Sequence, residues 1–215
     1  MSRLMDYTEL EALVEKRLKP SRFIHSKGVA AVCSDLTVRF LSDKVPGLYT
    51  GIFHDWCRYM SDEELLSFCR GRITDMAREE EEKPMLLHGA AAALMMRDIV
   101  GDVPTSWLIA IRHHTLGSTE MGVLGACLYI ADYLEPNRKH ITESDRAMIL
   151  SMATLEEMVL EILRREEEYY RISGMKRAER TAVLCTFLRN GGLFQLSITH
   201  GAEPRGLANS RTLID

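Results

Sequence analysis

Apolar residues recur at helical spacing along almost the whole chain, and period-two alternation nowhere lasts beyond a few residues. Helices patterned this way have one stripe each to bury and no sheet to lay it on, so the expected fold class is all-α, a helical bundle. Thr8 with Glu11 reads as a capping box for a first helix that Pro20 stops. Ser21 then starts a second helix with Ile24, Val29, Val32, Leu36 and Phe40 facing inward. A short third helix is expected over residues 47–57, and Ser61 with Glu64 caps a fourth. The acidic run 79–82 reads as a solvated loop or helix face, and a fifth helix begins near Pro84, carrying Leu86, Leu87, Leu94 and Ile99. Pro104 opens a sixth through Ile111, and residues 121–134 make a seventh that Pro136 ends. Two more are expected over 144–170 and 177–190, the last stopped by Gly191 and Gly192. The spacing predicts one domain over 1–192 and a weakly ordered tail over 193–215.

A chain of 215 residues with 46% apolar content can bury one sizeable core. Its 27 basic and 31 acidic residues leave a formal charge of −4, which argues against a nucleic-acid binder that works by neutralising phosphates. The longest largely apolar stretch, residues 122–131, is half of the roughly 20 residues a bilayer span needs, so no membrane partner is expected. Five cysteines, Cys33, Cys57, Cys69, Cys127 and Cys185, show no CxxC spacing and read as reduced, buried thiols of a cytoplasmic protein.

Of seven histidines, five (His25, His54, His88, His113 and His114) fall on strongly apolar segments, where an imidazole needs a partner. Asp55 follows His54 directly, and Asp132 interrupts the apolar run CLYIADYL. A buried carboxylate is costly unless hydrogen-bonded, paired or bound to a metal. Any one of these residues alone reads as a satisfied core group or a cap, but imidazoles and carboxylates gathered from several helices are the usual makings of an interior metal site. Neighbours on a helix point about 100° apart, so His113 and His114 do not both face one site. His114 is assigned to the site and His113 to the surface or to a supporting position; His140 and His200 stand among polar residues and read as solvated.

The segments RFIHSKGVA, GIFHDWCR, LLHGAAAA, AIRHHTLGSTEM and YIADYLEPNR, in this order and spacing, resemble the YqeK-type proteins of the HD-domain phosphohydrolase superfamily. These are similar to symmetrical diadenosine tetraphosphate hydrolases. The resemblance covers about residues 7–138 well and the C-terminal helices more loosely. It implies that His25, His54, Asp55 and Asp132 hold iron, with manganese or cobalt as substitutes. His88 and His114 match residues that face the substrate's phosphates, or that hold a second metal. Arg58 and Arg138 match basic residues suited to polyphosphate, since a guanidinium pairs two oxygens at once, and Arg22 is a further contact one turn before His25.

The implied partner is a dinucleoside polyphosphate or nucleotide, and the implied reaction splits diadenosine tetraphosphate into two ADP. Asp55 would orient or deprotonate the water, while His88, His114 and Arg58 offset charge at phosphorus. No P-loop or GxGxxG run is present. Three alternatives stay open: another HD phosphohydrolase acting on nucleoside mono- or triphosphates, an iron oxygenase on a similar scaffold, and a non-enzymatic metal- or nucleotide-binding module. The stretch RISGMKRAERTAVL lacks the proline-threonine text usual where such chains close over the nucleotide, which leaves substrate preference less determined than the chemistry.

Overall fold

The run GVLGACLYIADYL is apolar on every side, and a helix of that kind has no face to give to water. It forms α8 (Gly122–Leu134), in which Ala126, Leu128, Ile130 and Ala131 are fully buried. In the computed structural model, which describes residues 4–196, α2 (Pro20–Leu41), α3 (Val45–Phe53), α7 (Thr105–His113) and α10 (Leu155–Ser173) pack around this helix. The remaining helices are α1 (Tyr7–Arg17), α4 (Asp62–Cys69), α5 (Arg78–Glu82), α6 (His88–Val100), α9 (Glu143–Leu150) and α11 (Glu179–Arg189), with a 3₁₀ turn over Pro84–Leu87. No strand occurs among the described residues, so the all-α expectation holds. No helix of the described residues is long and apolar enough to cross a membrane.

The approach of α2 to α3 positions the site. A Cβ on Gly51 would lie 2.5 Å from the Ala30 Cα, and one on Gly47 would lie 2.6 Å from the Cys33 carbonyl. The two helices therefore touch backbone to backbone, and any larger residue would force them apart. Their closeness brings the end of α3, where His54 and Asp55 lie, up against His25 on α2.

Several local expectations are corrected. Asp6, whose carboxylate accepts from the Thr8 amide at 2.8 Å, caps α1 in place of Thr8. Pro20 opens α2 from within its first turn, where its missing N–H costs nothing, and does not end α1. Ile24 is 53% exposed, whereas Val29 and Leu36 are buried as expected. The third helix stops at Phe53, which leaves His54 as its C-cap and Asp55 in the following turn. The single helix expected over 144–170 is two, α9 and α10, because Thr154 and Glu157 form a capping box that starts a new helix.

The acidic run is not solvated throughout. Residues 78–82 form α5, and Glu80 is only 1% exposed because its carboxylate takes both terminal nitrogens of buried Arg112, at 2.6 and 2.9 Å. Glu79 accepts from the Glu179 amide and so caps α11. All five cysteines are free and buried. At the start of the expected tail, Phe194 is buried with its amide on Glu156 Oε1 at 2.8 Å, and the Gln195 carbonyl accepts from the Val123 amide at 3.2 Å. Residues 197–215, His200 among them, lie outside the described residues.

Candidate metal centre

Six side chains from five helices converge in the interior: His25 of α2, His54 and Asp55 at the end of α3, His88 at the start of α6, His114 at the end of α7, and Asp132 in the last turn of α8. One local device orients three of the imidazoles. His54 Nδ1 donates to the Gly51 carbonyl at 2.7 Å, His88 Nδ1 to the Met85 carbonyl at 2.7 Å, and His114 Nδ1 to the Ile111 carbonyl at 2.8 Å. Each partner lies three residues back, at a turn or helix end, where the Met85 and Ile111 carbonyls also take the amide of the histidine itself and give their second lone pair to its ring. A carbonyl can only accept, so Nδ1 carries a proton, and in the neutral ring Nε2 keeps its lone pair. For His25 the Glu135 carboxylate plays the same part, 3.1 Å from Nδ1.

All four Nε2 atoms point inward. His25 Nε2 lies 3.1 Å from Asp132 Oδ1 and 3.6 Å from Asp55 Oδ2, and His54 Nε2 lies 3.3 Å from Asp55 Oδ2. Yet His25 Nε2 and His54 Nε2 are buried without a hydrogen-bond partner, since their directions do not align with those oxygens. Lone pairs of nitrogen and carboxylate oxygen thus face a common centre and not one another. Three overlapping sets, His25–His54–Asp55, His54–His114–Asp132 and Asp55–His88–His114, each bring their ligand-capable atoms within 4.8 Å. With neutral imidazoles the cluster carries two negative charges, and the donor set fits a divalent metal.

Burial works against a charged His54 ring, but the Asp55 carboxylate beside it outweighs burial and raises that imidazole. Burial alone would raise the Asp55 carboxyl, but the His54 and His88 imidazoles outweigh it and hold the group well below the usual carboxylate range. Burial likewise works against ionised Asp132, and His25, Arg138 and His54 hold it below that range. Burial, with His54 and His88 alongside, pushes the His114 imidazole down to about 3, so that ring stays neutral.

The arginines are placed unequally. Arg22 Nη1 reaches Asp55 Oδ2 at 2.9 Å. Arg138 donates Nε to the Asp132 carbonyl at 2.9 Å and Nη2 to the Asp132 carboxylate, so it braces that side chain as well as lining the adjacent cleft. Arg58 lies in the turn after the pair, with its amide on the Asp55 carbonyl at 2.9 Å. Its half-buried side chain makes no hydrogen bond or ion pair among the described residues.

His113 is buried and not on the surface. Its Nδ1 accepts from Arg180 at 3.1 Å, and burial with the Arg112 and Arg180 guanidiniums keeps it neutral, down at about 3. His140 is exposed as expected but packs edge-on against Tyr133 at 4.7 Å, on the rim of the cleft.

Sequence reasoning missed Glu135. It is buried, holds His25 in its tautomer, and is itself held by the Asn137 amide at 2.7 Å and side chain at 3.0 Å. Gly28 leaves room for it, since a Cβ there would sit 2.7 Å from Glu135 Oε2. The signal was present in the segment YIADYLEPNR, as a second carboxylate just inside the proline that ends an apolar helix. Glu135→Ala is expected to weaken metal affinity by about 10- to 100-fold, the usual loss when a carboxylate behind a histidine ligand is removed. Titration of the metal-free protein with a divalent cation measures it, and an unchanged affinity would show that Glu135 does not orient His25.

A helical bundle that closes an adjacent His-Asp pair and further histidines and aspartates around one interior point defines an HD-superfamily hydrolase fold. The crystal structure of a predicted HD superfamily hydrolase involved in NAD metabolism from Clostridium acetobutylicum superposes with a TM-score of 0.79 at 23% identity, over 88% of this chain and 100% of that one. No protein-family model matches the sequence. The symmetrical bis(5'-nucleosyl)-tetraphosphatase of Bacillus subtilis strain 168 is 33% identical over 134 residues, which is 62% of this chain and 72% of that protein. Its namesake from Halalkalibacterium halodurans is 32% identical over 129 residues, 59% of this chain and 67% of that protein. The Staphylococcus aureus protein of the same name is 27% identical over 169 residues, 75% of this chain and 83% of that protein. The chain belongs to the symmetrical bis(5'-nucleosyl)-tetraphosphatase family, and it is an enzyme, a phosphohydrolase.

Proposed function

We propose that this enzyme hydrolyses dinucleoside tetraphosphates at the central phosphoanhydride, releasing two ADP from diadenosine tetraphosphate, with iron held by His25, His54, Asp55 and Asp132. The observation that carries the reading is the inward convergence of four Nε2 atoms on two carboxylates, in a chain whose relatives bear that activity as their name. When bound, such a cation supplies Lewis acidity toward a phosphoryl oxygen and a water of lowered pKa.

The chain's own groups account for the rest. Asp55 is central: Oδ2 receives Arg22 while Oδ1 lies 3.1 Å from His88 Nε2. Kept ionised by the imidazoles around it, Asp55 orients the attacking water and takes its proton as the water oxygen bonds to phosphorus. The bond to the bridging oxygen then breaks, and one nucleoside diphosphate leaves with the negative charge. His88 and His114 face the phosphates, their Nε2 atoms 3.1 Å apart, a spacing at which two lone pairs repel unless a proton or a second cation lies between them. Arg138 and Arg58 meet the polyphosphate, whose non-bridging oxygens a guanidinium pairs two at a time. The reduced state of the five buried thiols supports a cytoplasmic setting.

Product analysis tests the cleavage position. Chromatography of an early time point with diadenosine tetraphosphate is expected to show ADP alone. AMP and ATP in equal amounts would replace the symmetrical reading by an asymmetric one. Turnover of nucleoside mono- or triphosphates in place of the dinucleotide would transfer the site to a different phosphohydrolase activity.

A further inference from the structure

Residues 113–117 carry the chain off the end of α7 through His114 and into a turn, closed by the Gly117 amide on the His113 carbonyl at 2.9 Å. A helix end has lost part of its amide ladder, so its side chains keep their places only if something outside the helix holds them. The start of α11 holds this turn, 67 residues further along the chain. Arg180 Nη1 donates to His113 Nδ1 at 3.1 Å and to Asp75 Oδ2 at 3.2 Å, while Nη2 donates to the Asp75 carbonyl at 2.6 Å. The Thr181 hydroxyl donates to the Leu116 carbonyl at 2.7 Å. One turn along α11, Leu184 covers Gly117, where φ is +70° and a Cβ would sit 2.5 Å from Leu184 Cδ2. The helix thus grips the turn on both sides of His114. A guanidinium only donates, so His113 Nδ1 bears the lone pair, whereas His114 Nδ1 bears a proton for the Ile111 carbonyl. The two neighbouring rings are held in opposite tautomers, one facing α11 and the other the metal cluster.

We infer that Arg180 is a positioning residue for the site: bonded to His113 and Asp75, it pins the turn 113–117 and so keeps His114 and Thr115 beside His88. This rests on the phosphohydrolase reading above. The His114 ring has close neighbours on every side. Its Nε2 lies 3.1 Å from His88 Nε2 and 3.2 Å from Thr115 Oγ1, and a Cβ on Gly89 of α6 would lie 2.9 Å from its Nδ1. A shift of the turn by about 1 Å would undo that arrangement, and misplacements of this size cost about 100-fold in rate. Arg180 suits the task because a planar fork reaches three acceptors on two segments at fixed angles, which a single ammonium does not. Asp75 is 34% exposed, so the ion pair adds little to stability and acts chiefly through geometry. His25, His54, Asp55 and Asp132 belong to α2, to the end of α3 and to α8, and none of the three acceptors of the Arg180 guanidinium lies there. Loss of Arg180 therefore reaches His114 and spares the four proposed iron ligands.

Arg180→Met keeps the apolar stem and removes the donors. Nitrogen-15 spectra of the histidine rings in the metal-free full chain test the tie without requiring turnover, the His114 resonances being assigned by their loss in His114→Asn. In Arg180→Met the His114 ring nitrogens are expected to shift while those of His25 and His54 stay in place. With divalent cation supplied, the variant is expected to retain metal as the unmodified protein does. Its kcat for diadenosine tetraphosphate is expected to fall about 10- to 100-fold, with KM changed less than about threefold. General loosening of the fold would release metal together with activity and would not produce that split. Unshifted His114 resonances, a kcat within about twofold of the unmodified protein, or metal lost in proportion to activity overturns the assignment. If Arg180→Met does not fold, Thr181→Val decides: a kcat lowered several-fold with metal retained supports the assignment, and an unchanged kcat overturns it. Absence of turnover in the unmodified protein would refute the substrate reading, and the ring spectra alone would then decide the role of Arg180.

Discussion

Asp55→Ala is expected to abolish stoichiometric metal retention and to lower kcat/KM for nucleotide hydrolysis by at least about 10³-fold. Asp55 is the hub of the cluster: Arg22, His25, His54 and His88 all lie within 3.6 Å of its oxygens. Alanine would leave those four groups facing one another with no negative charge between them, and would take the carboxylate out of two of the three ligand sets. Two measurements separate this from general damage. Metal analysis of protein purified without chelator reports retention directly. Thermal unfolding with and without added cation reports coupling: a ligand at about 100 times its Kd adds about 2.7 kcal/mol to the unmodified protein, and the variant is expected to show no such gain. A variant that keeps its metal and more than a tenth of its activity would place the centre elsewhere.

The second large effect lies outside the chemistry. Glu80→Ala is expected to destabilise the fold by about 3–5 kcal/mol, the cost of leaving a buried guanidinium unpaired. For a domain of this size that corresponds to a midpoint of thermal unfolding lower by roughly 6–20 °C. Arg112 is buried, Glu80 takes both its terminal nitrogens, and the remaining partner, Asp75 at 3.3 Å, is half-exposed and shared with Arg180. Glu80→Gln keeps the shape and an acceptor and is expected to cost clearly less. Arg112 immediately precedes His113 and His114 in the last turn of α7, so loosening it also releases the end of the helix that carries a site histidine. An unfolding midpoint within about 2 °C of the unmodified protein would show that Arg112 finds water or another partner.

These two residues mark what was legible from the chain and what was not. Helical spacing and the His-Asp segments were enough to set the all-α class and to name the six side chains that meet, because both signals are local. An apolar stripe is written at intervals of three and four residues, and a histidine on such a stripe has to be satisfied inside. The capping boxes are local too, and Ser61 with Glu64 was read correctly, while Thr154 with Glu157 carried the same signal inside a run whose periodicity masked the break. Glu80, in contrast, sits in a run of like charges that ordinarily faces solvent, and it is buried solely because Arg112, 32 residues later, is brought against it. Glu135 became the support of His25 across 110 residues. Hydrophobic burial follows a period and can be read from one sequence; the partner of a buried charge follows from which helices pack, and only the tertiary structure decides that.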